Sequence, residues 1–170
     1  IGYQLTFSPE FKPWHDVLTA ADPMLATSAV DFLRENRKPI IEPQGKQLLM
    51  MLSQVKMSKN LTIDMGRGSK SLNGVLCETS IQGQSKSEFV EFPDSLSLEM
   101  PMFVDSANEQ LLNVDMFFDT AGNQVIVKFA CPDMLRSIRN DFIERIEDMT
   151  DDLGCIVTLG SLHTREWSYL

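Results

Sequence analysis

A glycine-rich segment with two cations comes nearest to a chemical motif in this sequence. It runs Gly66-Arg67-Gly68-Ser69-Lys70-Ser71. A phosphate-binding P-loop needs Gly-x4-Gly-Lys-Ser/Thr between a strand and a helix, so that backbone amides meet the phosphates. Here Ser69 separates Gly68 from Lys70, and a strand pattern follows. The segment is therefore predicted to be a cationic hairpin loop. Its alternative role is salt-sensitive contact of Arg67 and Lys70 with a nucleic-acid backbone.

The charged residues are separated along the chain. Residues 34–72 carry eight Lys or Arg against three acids, residues 1–33 carry one against four, and residues 73–170 carry six against seventeen. The net charge of the whole chain is −9. A basic block can form a phosphate-binding face. The alternative is a solvated surface balanced by acids elsewhere, because the block has almost no aromatic residues for base stacking. The candidate nucleic-acid contacts are Lys56, Lys59, Arg67 and Lys70.

The longest predicted helix, roughly residues 134–152, has an acidic side. Asp133 is placed to cap it, and Gly154 to end it. Its predicted buried stripe consists of Leu135, Ile138, Phe142, Ile146 and Met149. The opposite side carries the candidate partner-binding acids Asp141, Glu144, Glu147 and Asp148. These acids can meet a basic partner or imitate a nucleic-acid backbone, or they form only the solvated side of an amphipathic helix.

The residue types needed for nucleophilic catalysis are present but not arranged in a motif. The two histidines are His15, in a proline-rich segment, and His163, in the polar C-terminal tail. No G-x-S-x-G elbow occurs. Cys77, Cys131 and Cys155 are odd in number and widely spaced, so reduced thiols are expected in place of a zinc site. No catalytic residue, metal or cofactor is predicted. A carboxylate-based enzyme stays an alternative, because paired carboxylates meet through the fold and not through spacing.

The composition is that of a globular protein. Of 170 residues, 43% are hydrophobic and 23% charged, which fits one domain with a core. No apolar run approaches the roughly 20 residues that cross a bilayer, and the N-terminus is no signal peptide, so no membrane contact and a cytoplasmic location are expected. The chain begins at Ile1 and not at Met. We therefore expect a fragment of a longer protein.

The N-terminal half is predicted to begin with a short strand at residues 3–7 and an irregular segment at 8–23. Phe11 and Trp14 are expected to anchor that segment to the core. A helix follows at about 25–36, capped either by Ser28 or by an earlier start at Asp22-Pro23. A second helix begins near Pro43, with its apolar stripe at Leu48, Met51, Leu52 and Val55.

The remaining pattern is dominated by strands. Alternation predicts strands at residues 61–65, 75–79 and 95–104, the last interrupted by Pro101 as at an edge or a bulge. Residues 82–94 read as a polar loop with a short strand at 89–92. Residues 111–131 form the best hairpin, and 155–159 a last strand. The prediction is a single α+β domain: an antiparallel or mixed sheet of about six strands with three helices mainly on one face.

Several short motifs together resemble a known family. Phe7-Ser8-Pro9-Glu10-Phe11-Lys12-Pro13-Trp14 is similar to the "S-x-E-W-x-x-W" segment of the YfdQ-like phage and prophage proteins. The likeness continues through residues 29–36, Pro43, residues 72–74, residues 93–103 and residues 142–160. Phe11 and Leu96 stand where that family has Trp and Phe. The resemblance implies a phage origin, a host-cytoplasm setting near DNA-recombination genes and a missing N-terminal region, and it supplies no catalytic residues.

The favoured hypothesis from sequence is a non-enzymatic phage or prophage accessory protein that binds a macromolecule in DNA metabolism or host takeover. The expected partner is a nucleic acid or a host or phage protein. The alternative is a protein-interaction or assembly module that acts through the acidic helix and forms homo-oligomers. A carboxylate-based enzyme is the third hypothesis.

Overall fold

The computed structural model describes residues 5–45, 47–51, 60–63, 74–81, 84–91, 93–104, 106–121 and 124–154. Within them lie four helices and eight strands. The helices are α1 (Phe11–Ala20), α2 (Ala26–Glu35), α3 (described at residues 45 and 47–51) and α4 (Met134–Leu153). The strands are β1 (Met24–Leu25), β2 (Ile40–Glu42), β3 (Asn60–Ile63), β4 (Gly74–Ile81), β5 (Gln84–Glu91), β6 (Ser95–Met100), β7 (Gln110–Ala121) and β8 (Gln124–Ala130).

Five strands form an antiparallel sheet in the order β1-β8-β7-β6-β2. The predicted hairpin is its centre, with Met116 opposite Phe129 and Phe118 opposite Val127. The α+β class is thus confirmed. The sheet has five strands and not about six, and the described residues contain four helices and not three, because α1 lies in a segment predicted to be irregular. Pro101 does not interrupt β6, because the strand ends one residue before it. The predicted strand at 95–104 was therefore too long, and neither an edge position nor a bulge accounts for Pro101, since β6 lies between β7 and β2 and has ended before this residue.

The other three strands, β3, β4 and β5, form a separate antiparallel sheet. The strands predicted near residues 61–65 and 75–79 are present, but the polar loop predicted for residues 82–94 is mostly strand β5. Its residues pair one by one with β4, from Gln84 opposite Ile81 to Glu91 opposite Gly74. Backbone hydrogen bonding to β4 makes this segment a strand. Its polar sequence has no alternation of apolar and polar residues from which a strand could be predicted.

The main core lies between the five-stranded sheet and the helices. Alternate residues of β6, β7 and β8 are buried on one face, and they form a single cluster with residues of α1, α2 and α3. Phe11 and Trp14 are fully buried, so the prediction that they anchor the N-terminal segment is confirmed. Burying a large apolar side chain of this kind stabilises the fold by about 1.5–3 kcal/mol each. Leu48 of α3 is buried as its stripe predicted, while Leu52 and Val55 lie outside the described residues.

Residues 8–23 are not irregular as predicted, because α1 occupies Phe11–Ala20. Buried Ser8 accepts a hydrogen bond from the Phe11 backbone N–H at 3.0 Å and donates its hydroxyl to the Pro101 carbonyl. Pro13 falls in the first helical turn, where its missing N–H costs nothing. The prolines are therefore compatible with a helix here. Ser8 connects the start of this helix to the residue that follows β6.

The helix α2 agrees with its prediction to within a residue at each end, but neither predicted cap is used. Leu25 precedes the helix in an extended conformation and makes no side-chain cap. It is extended because β1 pairs there with β8. The helix ends at Glu35, before Lys38-Pro39, and the Asn36 side-chain amide donates to the Phe32 carbonyl at 2.9 Å.

Two more predictions concern the ends of the chain. Of the predicted opening strand, the described part shows only a single bridge between Phe7 and Phe103. The predicted last strand at 155–159 lies outside the described residues. None of the described helices combines the length and the apolar composition needed to cross a membrane.

Candidate functional site

The helix α4 turns a different side to the protein than its sequence predicted. Met134 is buried, whereas Leu135 is 74% exposed and so is not part of the buried stripe. Ile138 and Phe142 pack against the core as expected. Asp133 occupies the cap position without a side-chain cap bond, and Gly154 ends the helix with φ 58°. Consecutive residues lie roughly 100° apart around a helix. Compared with the predicted stripe, the buried side of α4 is rotated toward Met134 and Asp141 by less than this angle.

Asp141 is consequently a buried carboxylate, and its predicted place on the solvated side was wrong. Only 2% of the residue is exposed. Ser106, in the loop before β7, directs its hydroxyl at this carboxylate, with Oγ at 2.9 Å from Oδ2 and 3.1 Å from Oδ1. A buried charge is tolerated when hydrogen bonds replace its water. The pair therefore fastens the middle of α4 to the loop before β7.

Glu144, one turn further along α4, is half-buried and contacts the same part of the chain. Its Oε2 accepts hydrogen bonds from the Asn108 side-chain amide at 3.2 Å and from the Gln110 side-chain amide at 3.3 Å. Within the described part of the chain, no hydrogen bond reaches its other oxygen, Oε1. Two neutral amides orient the carboxylate without neutralising its charge.

An open cleft of about 650 Å³ lies where these residues meet. Its walls come from the end of β6, the loop before β7 and the middle of α4, and they are mostly polar. Three of the lining side chains are glutamates, and none is a cation. The lining residues are Glu99, Pro101, Ser106, Ala107, Asn108, Glu109, Gln110 and Glu144. We call this surface the acidic cleft. A concave surface lined by one sign of charge concentrates ions of the opposite sign.

Lys38 is a cation that lies within electrostatic reach of this cleft. The Lys38 ammonium donates to Glu10 Oε1 at 2.7 Å, and this hydrogen bond holds the pKa of Glu10 below its ordinary value. The same contact raises the pKa of Lys38, and the charge of Glu109 adds a smaller contribution. Because Lys38 is bound to Glu10, it neutralises the cleft only in part.

The remaining predicted partner-binding acids, Glu147 and Asp148, are exposed on α4 and do not line the cleft. The fold thus divides the four predicted acids: Asp141 is buried, Glu144 lines the cleft, and two face solvent. Sequence reasoning missed Ser106, Asn108 and Gln110. Their signal was a polar run directly before the strand of the best hairpin, opposite the predicted acidic helix.

The predicted nucleic-acid contacts Lys56, Lys59, Arg67 and Lys70 all lie outside the described residues. Two other cations of the basic block are described and ion-paired: Lys38 with Glu10, and Arg34 with Asp31 at 3.9 Å. Nucleic-acid contact by these four residues therefore stays a prediction.

No catalytic or metal-binding constellation is assembled among the residues that the structure describes. No group of three or more His, Cys, Asp or Glu there is placed to hold a metal ion. His15 lies against the Phe7 ring, with ring centroids 4.4 Å apart, and beside Asp16. In the hydrogen bonds of the described residues, the Ser106 hydroxyl pairs with the Asp141 carboxylate and not with a histidine. Cys131 is a half-buried free thiol, and burial raises its pKa, which lowers its reactivity.

Comparison with known proteins adds no relative to this geometry. No family model, curated protein or solved structure matches the chain. The resemblance to the YfdQ-like phage proteins therefore stays a prediction, carried by the short motifs alone.

Proposed function

We propose that this protein is a non-enzymatic binding protein whose acidic cleft receives cationic groups of a partner protein. The single observation that carries the proposal is Glu144, held half-buried by two neutral amides at the wall of a cleft whose charged lining residues are all glutamates. A carboxylate fixed in this way loses little side-chain freedom when it pairs with a cation. Lys and Arg side chains are the protein groups that complement it.

The setting of this activity is proposed from the sequence resemblance only. A phage or prophage accessory protein acting in DNA metabolism or host takeover, in the host cytoplasm, would meet basic proteins that handle nucleic acids. The acidic cleft suits such a partner better than it suits the nucleic acid itself, because glutamates repel phosphates.

A binding titration of the full chain tests the proposal. The probe is a short oligolysine peptide, measured calorimetrically at low and at moderate salt. We expect Glu144→Gln to weaken binding by about three- to tenfold, in the range of a partly desolvated ion pair. Asp22→Asn, at an exposed position just before β1 on the opposite edge of the sheet from β6 and β2, makes the same change in net charge away from the cleft. It should leave the affinity within about twofold. Equal losses in the two variants would mean that only net charge attracts the peptide.

Nucleic-acid binding through the basic block is kept as a second hypothesis because eight cations fall within residues 34–72. A gel shift with single- and double-stranded DNA at low salt tests it. Absence of any shift with the intact protein would remove this hypothesis and leave the cleft untouched.

A further inference from the structure

We propose that Glu10 sets the affinity of the acidic cleft by holding Lys38 outside it, so that this internal cation does not compete with the cation of the partner. Glu10 is thus a positioning residue that acts through Lys38. The inference rests on the proposed function, since it concerns the regulation of the same site.

Lys38 is attached to the wall of the cleft that the end of β6 provides. It precedes Pro39, whose carbonyl accepts a hydrogen bond from the backbone N–H of Glu99 at 2.8 Å. Glu99 lines the cleft. The charge of Glu109, another lining residue, acts on the Lys38 ammonium in its present position. Lys38 therefore has two glutamates of the cleft as neighbours besides Glu10.

Glu10 is fixed to the same wall. Two residues before it, Ser8 donates its hydroxyl to the carbonyl of Pro101, which lines the cleft. The Ser8 backbone N–H also donates to the Met102 carbonyl at 2.9 Å. The Glu10 side chain is 30% exposed, whereas that of Lys38 is 80% exposed. The carboxylate is thus the fixed partner of their 2.7 Å contact, and the ammonium on its flexible stem is the movable one.

A lysine that is released from Glu10 competes strongly with an added peptide. An intramolecular group on a short flexible connection acts as if it were present at a concentration on the order of millimolar. Attraction to Glu99 and Glu109 favours the cleft over open water for the released ammonium. A dilute peptide then meets glutamates that are already paired with Lys38, so loss of the Glu10 charge should weaken its binding.

The alternative role of Glu10 is direct attraction of the partner by its own charge. The two roles differ in their dependence on Lys38. Direct attraction persists when Lys38 is replaced, whereas positioning has no effect without the residue that is positioned. A double-mutant cycle separates them.

The cycle is measured on the full chain with the oligolysine peptide as the probe. Glu10→Gln should weaken binding about three- to fivefold in the protein that has Lys38, and less than about twofold in the Lys38→Gln background. Lys128 is an exposed cation on β8, which β7 separates from β6. In the matched Lys128→Gln background, the effect of Glu10→Gln should be undiminished. Asp22→Asn should change the affinity by less than about twofold in every background.

A second readout needs no peptide. The side-chain carboxyl carbon signals of Glu99 and Glu109, recorded by nuclear magnetic resonance, should shift in Glu10→Gln because Lys38 then pairs with these glutamates. They should return in the double variant Glu10→Gln/Lys38→Gln. Urea unfolding of each variant shows that it is folded.

An equal loss of affinity for Glu10→Gln with and without Lys38 would overturn the inference, because Glu10 would then act through its own charge. Unchanged carboxyl signals of Glu99 and Glu109 in Glu10→Gln would overturn it as well. Failure of the proposed function has a different signature: Glu144→Gln would leave the affinity for oligolysine unchanged, while the carboxyl signals would still report where Lys38 lies.

Discussion

Ser106 and Asp141 form a hydrogen-bonded pair that joins the loop before β7 to the middle of α4, with the Ser106 hydroxyl 2.9 Å from Oδ2 of a carboxylate that is almost wholly buried. Ser106 also lines the acidic cleft. The same pair therefore supports the fold and fixes the distance between the two walls of the cleft.

Removal of the Ser106 hydroxyl should destabilise the protein. Ser106→Ala leaves a buried carboxylate without this donor, which costs about 1.5–3 kcal/mol in the free energy of unfolding. The double variant Ser106→Ala/Asp141→Leu should lose less than the sum of the two single variants, because both polar groups are then absent. Urea unfolding measures all three.

Ser95→Ala is the matched control for that series. Ser95 is exposed at the start of β6, so the change should stay within about 0.5 kcal/mol. A Ser106→Ala variant as stable as this control would show that the pair contributes nothing to α4.

The adjacent residues Met134 and Leu135 test which side of α4 is buried. Met134→Ala should cost about 2–5 kcal/mol, because Met134 belongs to the core cluster. Leu135→Ala should cost less than about 0.5 kcal/mol, because its side chain is mainly in water. Thermal or urea unfolding gives both values. The opposite order would restore the stripe predicted from sequence and would return Asp141 to the solvent side.

The ion pair between Glu10 and Lys38 should make a pH-dependent contribution to stability. The depressed pKa of Glu10 means that its contribution is present above the ordinary glutamate pKa and is lost as the pH falls through the folded-state pKa. The raised pKa of Lys38 means that its contribution is present below the ordinary lysine pKa and is lost as the pH rises through the folded-state pKa. The pair therefore acts between these two limits.

Lys38→Gln should consequently unfold at lower urea concentration than the unaltered protein near neutral pH, with the difference fading in acid and with added salt. Arg37→Gln is the control, since it removes one positive charge from the exposed neighbouring residue. A difference that persists unchanged into acid would mean that Lys38 acts through packing of its stem and not through Glu10.

The features of the fold that followed from the sequence are those with strong periodicity. The alternation in residues 111–131 fixed the hairpin because its turn and both apolar faces agreed. The prediction of a loop at residues 84–91 was wrong because pairing with β4, and not a side-chain pattern, makes these residues a strand. The prediction of an irregular segment after Ser8 was wrong because three prolines suggested loops, although Pro13 fits a first helical turn. The single domain and the longer parent protein both stay predictions.

Only part of the candidate site could be predicted from the sequence. The acidic helix and Glu144 followed from spacing, since acids recur along α4. Asp141 did not, because its burial depends on a serine 35 positions away in sequence. The walls formed by Asn108, Gln110 and Glu99 arise from strand order, which no local pattern gives.

The most direct test of the central claim records the side-chain amide signals of Asn108 and Gln110 by nuclear magnetic resonance during titration with oligolysine. Both amides donate to Oε2 of Glu144, so a cation that pairs with this carboxylate should shift both signals together, with one saturating affinity. Glu144→Gln should abolish the shared shift. If oligolysine binds while these two signals stay unchanged and only residues outside the cleft respond, the acidic cleft is not the binding site.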